Sequence, residues 1–375
     1  MQRKSYLKSM SVLTLTACLI SGYVVKDIAM LHAVSASEKK ANNVSPRENL
    51  YRAVNDNWLA NTKLKQGQIS VNSFSEIEDK LKQLLVSDMA KMASGKIETT
   101  NDEQKKMVAY YKQGMDFKTR DKNGLKPLKP VLQKLEAVSS MKDFQSLAHD
   151  FVMSGFVLPF GLTVETNARD NSQKQLVLRQ APALLESPDQ YKKGNKEGEA
   201  KLSAYRTSAM ALLKQAGKSN IEDRKLVKQA GKSNIEDRKL VKQAIAFDRL
   251  LSEKTQVDQS KITAESETAA GRYNPESMET VHNYAKEFDF KELIEKLVGP
   301  TNKAVNVEDK TYFKQVNDVI NSKQLANMKA WMMISMLVDQ SDFLGEQNRQ
   351  AASAFKNVAS GLTQIESKEK MLTPN

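Results

Sequence analysis

Ser73-Phe74-Ser75-Glu76-Ile77-Glu78-Asp79-Lys80-Leu81-Lys82-Gln83-Leu84-Leu85-Val86-Ser87-Asp88-Met89-Ala90-Lys91-Met92 is the stretch that decides the fold class. Phe74, Ile77, Leu81, Leu84, Leu85, Met89 and Met92 recur at steps of three and four, which gathers them on one face of an α-helix. Ser73 followed by Glu76 has capping-box spacing, in which both side chains satisfy free N–H groups of the first turn. A long amphipathic helix is expected from about Ser73.

Working outward, the same period predicts helices over Asn101–Gly114, Leu128–Ala137, Met141–Ser154, Ser203–Gln215, Ile221–Ser252, Ser277–Ala285, Lys291–Leu297, Lys310–Ile320, Ala326–Val338 and Ser341–Gly361. Gly124–Pro130 reads as a turn. Phe156–Thr166 and Lys174–Leu178 flank a polar Asn167–Ser172 segment and form the one good hairpin candidate. The expected fold is mainly α, a multi-helix lobe with one small β-hairpin, after an N-terminal export signal. Composition agrees: 375 residues, 40% hydrophobic and 27% charged, can bury a real core, and 15 glycines with 9 prolines are few for an all-β chain.

Residues 1–36 read as the signal or anchor. Arg3, Lys4 and Lys8 precede an uncharged apolar run, Ser11–Val25, shorter than the roughly 20 residues that span a hydrocarbon core. Val34-Ser35-Ala36 suits cleavage after Ala36, leaving 37–46 as a polar linker. Leu15-Thr16-Ala17-Cys18 resembles a lipobox, in which Cys18 would be the lipidated residue; an uncleaved anchor is the third reading. All three place the body, residues 47–375, outside the cytoplasm, secreted or attached to membrane or wall.

Cys18 is the sole cysteine, so the body has no disulfide, thiolate metal site or cysteine nucleophile. The three histidines, His32, His149 and His282, include no pair one helical turn apart, and no G-x-S-x-G, Walker-type or G-x-G-x-x-G loop occurs. Glu76-Ile77-Glu78-Asp79 and Glu265-Ser266-Glu267 read as polar borders of apolar stripes rather than paired catalytic carboxylates. The residues supply no catalytic, cofactor-binding or metal site. The net charge of +12 is dispersed among acids and lacks aromatic interleaving, so nucleic acid is not an expected partner. The methionines at core-like spacings read as gap fillers, and Trp331-Met332-Met333-Ile334-Ser335-Met336 as a candidate interface.

Lys214–Val227 (KQAGKSNIEDRKLV) is repeated identically as Lys228–Val241. Fourteen residues at about 100° each leave a phase error of about 40°, so one apolar face stays roughly aligned. One copy is expected to form a helix-turn-helix and the other to lengthen a helix or bulge out.

Asn49-Leu50-Tyr51-Arg52-Ala53-Val54-Asn55-Asp56-Asn57-Trp58-Leu59, followed by Asn72-Ser73-Phe74, resembles the start of the neprilysin-like zinc metalloendopeptidases. Further matches follow in family order: Tyr110-Tyr111 with Met115-Asp116; Gly124-Leu125-Lys126-Pro127-Leu128; Pro159-Phe160-Gly161-Leu162; Leu185-Glu186-Ser187-Pro188-Asp189-Gln190-Tyr191; Tyr273-Asn274-Pro275; and Leu325-Ala326-Asn327-Met328-Lys329-Ala330-Trp331. The bacterial oligopeptidase branch is the most similar. The resemblance implies a helical N-terminal lobe that encloses small peptides over a C-terminal lobe carrying H-E-x-x-H, E-x-x-x-D and N-A-[FY]. The resemblance places all three downstream of Asn375, so no catalytic or metal residue carries over to this chain, and zinc is expected in the full-length family enzyme and not in this chain. The expected partner is the missing catalytic lobe, without which the chain is inactive, and a fragment or prematurely ended frame is expected. Gly161 and Pro275 are read as turn formers, and Trp58 and Trp331 as core. The alternative is a cell-surface binding or adhesion module with a basic helical surface.

Overall fold

In the computed structural model, residues 44–63, 70–185, 187–218, 234–255, 273–301 and 303–361 are described. The expected export segment, Cys18, the expected cleavage point at Ala36, His32, Glu265–Glu267 and most of the duplicated segment lie outside these residues. No helix among the described residues is long and apolar enough to cross a membrane.

The chain divides into two compact units, one comprising residues up to Asp116 together with those from Ser360 onward, the other Phe117–Ala359. The first holds α1 (Leu50–Asn61), α2 (Ser73–Ala93) and α3 (Asp102–Met115). Asn49, Asn72 and Asn101 cap these helices, each carboxamide accepting a backbone N–H of the first turn. The α2 capping box therefore starts one residue before the expected Ser73–Glu76 pair. Asn72 Oδ1 accepts from Ser75 N at 2.9 Å and Ser75 Oγ accepts from Asn72 N at 2.8 Å. Glu76 instead accepts from Trp58 Nε1 at 3.2 Å, tying α1 to α2. Trp58, expected in the core, is only half-buried, on a helix that holds no buried residue.

The second unit runs α4 (Phe117–Asn123), α5 (Lys129–Ala137), α6 (Met141–Ser154), β1 (Phe160–Thr166), β2 (Lys174–Gln180), α7 (Lys196–Lys218), α8 (Asn234–Lys254), β3 (Pro275–Glu276), α9 (Met278–His282), α10 (Phe290–Val298), β4 (Val305–Val307), α11 (Lys310–Gln315), α12 (Leu325–Asp339) and α13 (Glu346–Ala359). The fold is mainly α. The expected hairpin is present, Phe160 opposite Gln180 through Thr166 opposite Lys174, and two short strands extend it to the order β1-β2-β4-β3.

α12 packs against α8, and α13 against α7. Met328, Ala330–Ile334 and Met336–Val338 are all buried, so α12 is apolar around nearly its whole circumference and lies inside the unit. The Trp331–Met336 segment is thus core rather than an interface, its methionines filling irregular space between neighbouring helices. Beside it, Phe160, Phe288, Phe290 and Phe313 form a chain of tilted and edge-on rings with centroids 4.9–5.7 Å apart.

Gly161 and Pro275 sit in strands, not turns. A Cβ on Gly161 would lie 2.9 Å from Arg179 Cγ, so its bare backbone gives that side chain room across the hairpin. Pro275 lies on β3, an edge strand, where its missing donor costs no ladder bond.

Ser140 opens α6 with a reciprocal box: its hydroxyl accepts from Asp143 N, and Asp143 Oδ2 accepts from Ser140 N. Ser140→Ala is expected to destabilise the chain by about 1 kcal/mol, read as a lower urea midpoint at unchanged slope.

Candidate functional site

Several of the motifs singled out in the sequence lie in the second unit and are joined there by buried hydrogen bonds. Asp248, on α8, is fully buried. Its carboxylate accepts from Leu184 N at 3.0 and 3.1 Å, from Trp331 Nε1 at 3.1 Å and from the Tyr191 hydroxyl. Tyr191 closes the Leu185–Tyr191 motif and Trp331 closes the Leu325–Trp331 motif, so one carboxylate joins two motifs 140 positions apart in the chain. Burial pushes Asp248 up to about 7, against the pull of the Leu184 and Trp331 hydrogen bonds. Asp248 belongs to none of the motifs quoted from the sequence. Its signal was a lone acid inside the apolar series Ala244, Ile245, Phe247 and Leu251.

The other motifs in this unit also serve the framework. Lys329 Nζ donates to the carbonyls of Glu136, at 3.0 Å, and Val138, closing the C-terminal end of α5 from α12; burial lowers its pKa. The Tyr312 hydroxyl donates to Pro159 O. Asn274 N donates to Asn306 Oδ1 at 2.6 Å, and Val307 N to Asn274 O at 2.9 Å, seating β3 beside β4. Arg179 bridges Glu165 at 2.7 Å and Glu308 at 2.9 Å; burial opposes its charge, and the two carboxylates outweigh that and raise its pKa.

An open cleft of about 720 Å³ is lined by Glu279, His282, Asp289, Lys291, Glu292, Glu295 and Lys296. His282 Nδ1 lies 2.9 Å from Asp289 Oδ1. That same Asp289 oxygen caps α10 by accepting from Glu292 N at 3.1 Å, and no hydroxyl or thiol lines the cleft to act as nucleophile. His149 is apart from it, 3.3 Å from Asp150, which also pairs with Lys134. Among the described residues no three His, Cys, Asp or Glu side chains are placed to hold a metal ion, so zinc finds no ligand set in them.

The sequence profile described as Peptidase family M13, for its N-terminal part, matches residues 46–373. The chain belongs to peptidase family M13. It is 26% identical over 329 residues to the neutral endopeptidase of Lactobacillus helveticus, covering 88% of this chain and 48% of that protein. The neutral endopeptidase of Lactococcus lactis subsp. lactis is 24% identical over 325 residues, covering 86% and 48%. Two solved structures share the fold. A crystal structure of PEPO from Lactobacillus rhamnosis has a TM-score of 0.71 at 22% identity, covering 88% of this chain and 49% of that one. The Mycobacterium tuberculosis zinc metalloprotease ZMP1, in complex with an inhibitor, gives 0.71 at 15% identity, covering 89% and 48%. The chain spans about half the length of the curated relatives it matches.

Proposed function

We propose that this chain is the non-catalytic N-terminal lobe of an M13 zinc endopeptidase that hydrolyses small peptides outside the cytoplasm. Family membership over residues 46–373 is the observation that carries the reading. The names of its relatives, neutral endopeptidase and zinc metalloprotease, give the reaction class. In this reading the helical lobe encloses peptides and excludes folded substrates, and the zinc ligands and general base belong to the part of the enzyme that the chain does not match. The basic, then apolar, N-terminus supports export, with secretion or attachment at Cys18 or through an uncleaved anchor. Family membership lends no support to the adhesion alternative.

Purified 375-residue chain, supplied with zinc and unstructured peptides, is expected to show no chelator-sensitive hydrolysis by mass spectrometry. Turnover that a chelator abolishes would overturn the assignment of the chemistry to the other half.

A further inference from the structure

We infer that the outward apolar stripe of α1 and α2 is the surface on which the unmatched half of an M13 peptidase docks; this rests on the proposed lobe assignment. Phe74, Ile77, Leu81 and Leu84 stand at three- and four-residue steps on one face of α2, and they are 82%, 63%, 52% and 56% exposed. The less exposed residues of α2 include Ser75, Asp79 and Lys82 on the other side, and Leu85, Val86, Met89 and Met92 toward its C-terminal end. Over Phe74–Leu84 the helix therefore turns its apolar side to solvent, the reverse of the usual arrangement. α1 does the same with Leu50, Tyr51 and Val54, and the Trp58–Glu76 hydrogen bond joins the two helices.

Large apolar residues exposed singly are ordinary, and a contiguous run of them marks an interface. The curated relatives contain about as much chain again as this one matches, since the match covers 48% of each of the first two. That supplies an occupant of sufficient size. An anionic lipid surface is the poorer fit, because Glu76, Glu78 and Asp88 share the flanks of the stripe with Lys80 and Lys91 where a membrane helix would carry a basic rim.

The test uses the full chain with Cys18→Ser and Leu84→Cys, alone and fused at its C-terminus to the unmatched half of the Lactobacillus helveticus neutral endopeptidase. Thiol labelling at position 84 is expected to be about tenfold slower in the fusion. In a second pair, Leu81→Glu with Leu84→Glu is expected to leave the urea midpoint of the chain alone unchanged and to lower that of the fusion. Equal labelling rates, or midpoints unmoved in both, would overturn the docking surface. Protection that grows with concentration in the chain alone would assign the stripe to a second copy and overturn it too. Peptide hydrolysis by the fusion reads the lobe assignment separately. Protection without hydrolysis keeps the surface and removes the peptidase reading, and hydrolysis without protection does the reverse.

Discussion

Asp248→Ala is expected to destabilise the chain by more than about 3 kcal/mol, the sum of several buried donors left without acceptors at roughly 1–3 kcal/mol each. Leu184 N, Tyr191 Oη and Trp331 Nε1 would all lose their partner, and Tyr191 and Trp331 are buried away from water. Equilibrium urea unfolding measures the loss. Trp331→Phe removes one donor while leaving the carboxylate in place, and its effect should combine non-additively with Asp248→Ala because both act on the same bond.

The same carboxyl gives a pH signature. Its folded pKa, about 7, lies above the ordinary value of 3.8. A raised pKa means stability that is fully present below about pH 4 and is lost as pH rises through about 7, since the buried site resists the charged form. In Asp248→Asn this component disappears. Between pH 4 and 7 the stability of the parent chain should fall relative to that of the asparagine variant; parallel curves would show that the hydrogen bonds fully compensate burial.

Gly198→Ala is the second large effect, and its sign runs against helix propensity. Gly198 lies in the first turn of α7, where alanine ordinarily gains about 1 kcal/mol over glycine. Here a Cβ would meet Gln190 O at 1.8 Å, its carbonyl carbon at 2.6 Å and its Cα at 2.9 Å. These are backbone atoms of the turn Pro188–Tyr191, which no rotamer change can move aside. α7 would have to retreat from the turn that delivers Tyr191 to Asp248. A loss of about 3 kcal/mol is expected, at the upper end of overpacking costs. A neutral or stabilising result would mean that the α7 start yields freely.

Much of the secondary structure was legible along the chain. Met141–Ser154 is observed with the expected bounds, closed by Gly155 in the left-handed region at φ 67°, and the hairpin around Asn167–Ser172 holds. Such features depend on neighbours within a few residues. Others ran past or short of expectation. α7 starts at Lys196 rather than Ser203, because Asn195 Oδ1 accepts from Gly198 N and starts the helix early. Ser277–Ala285 gives only the five-residue α9, and Lys310–Ile320 passes into a 3-10 turn at Val316.

The sequence by itself determined a mainly helical fold, a body without cysteine chemistry, and membership of the neprilysin-like group, since period, composition and ordered motifs are properties of the chain alone. Only the tertiary structure decided what each face meets. The α2 stripe and the α12 segment are both apolar by sequence, yet Phe74 is 82% exposed and Trp331 1% exposed. Periodicity fixes the angle of a side chain about its own helix axis and carries no information about which distant segment, or solvent, lies along that direction.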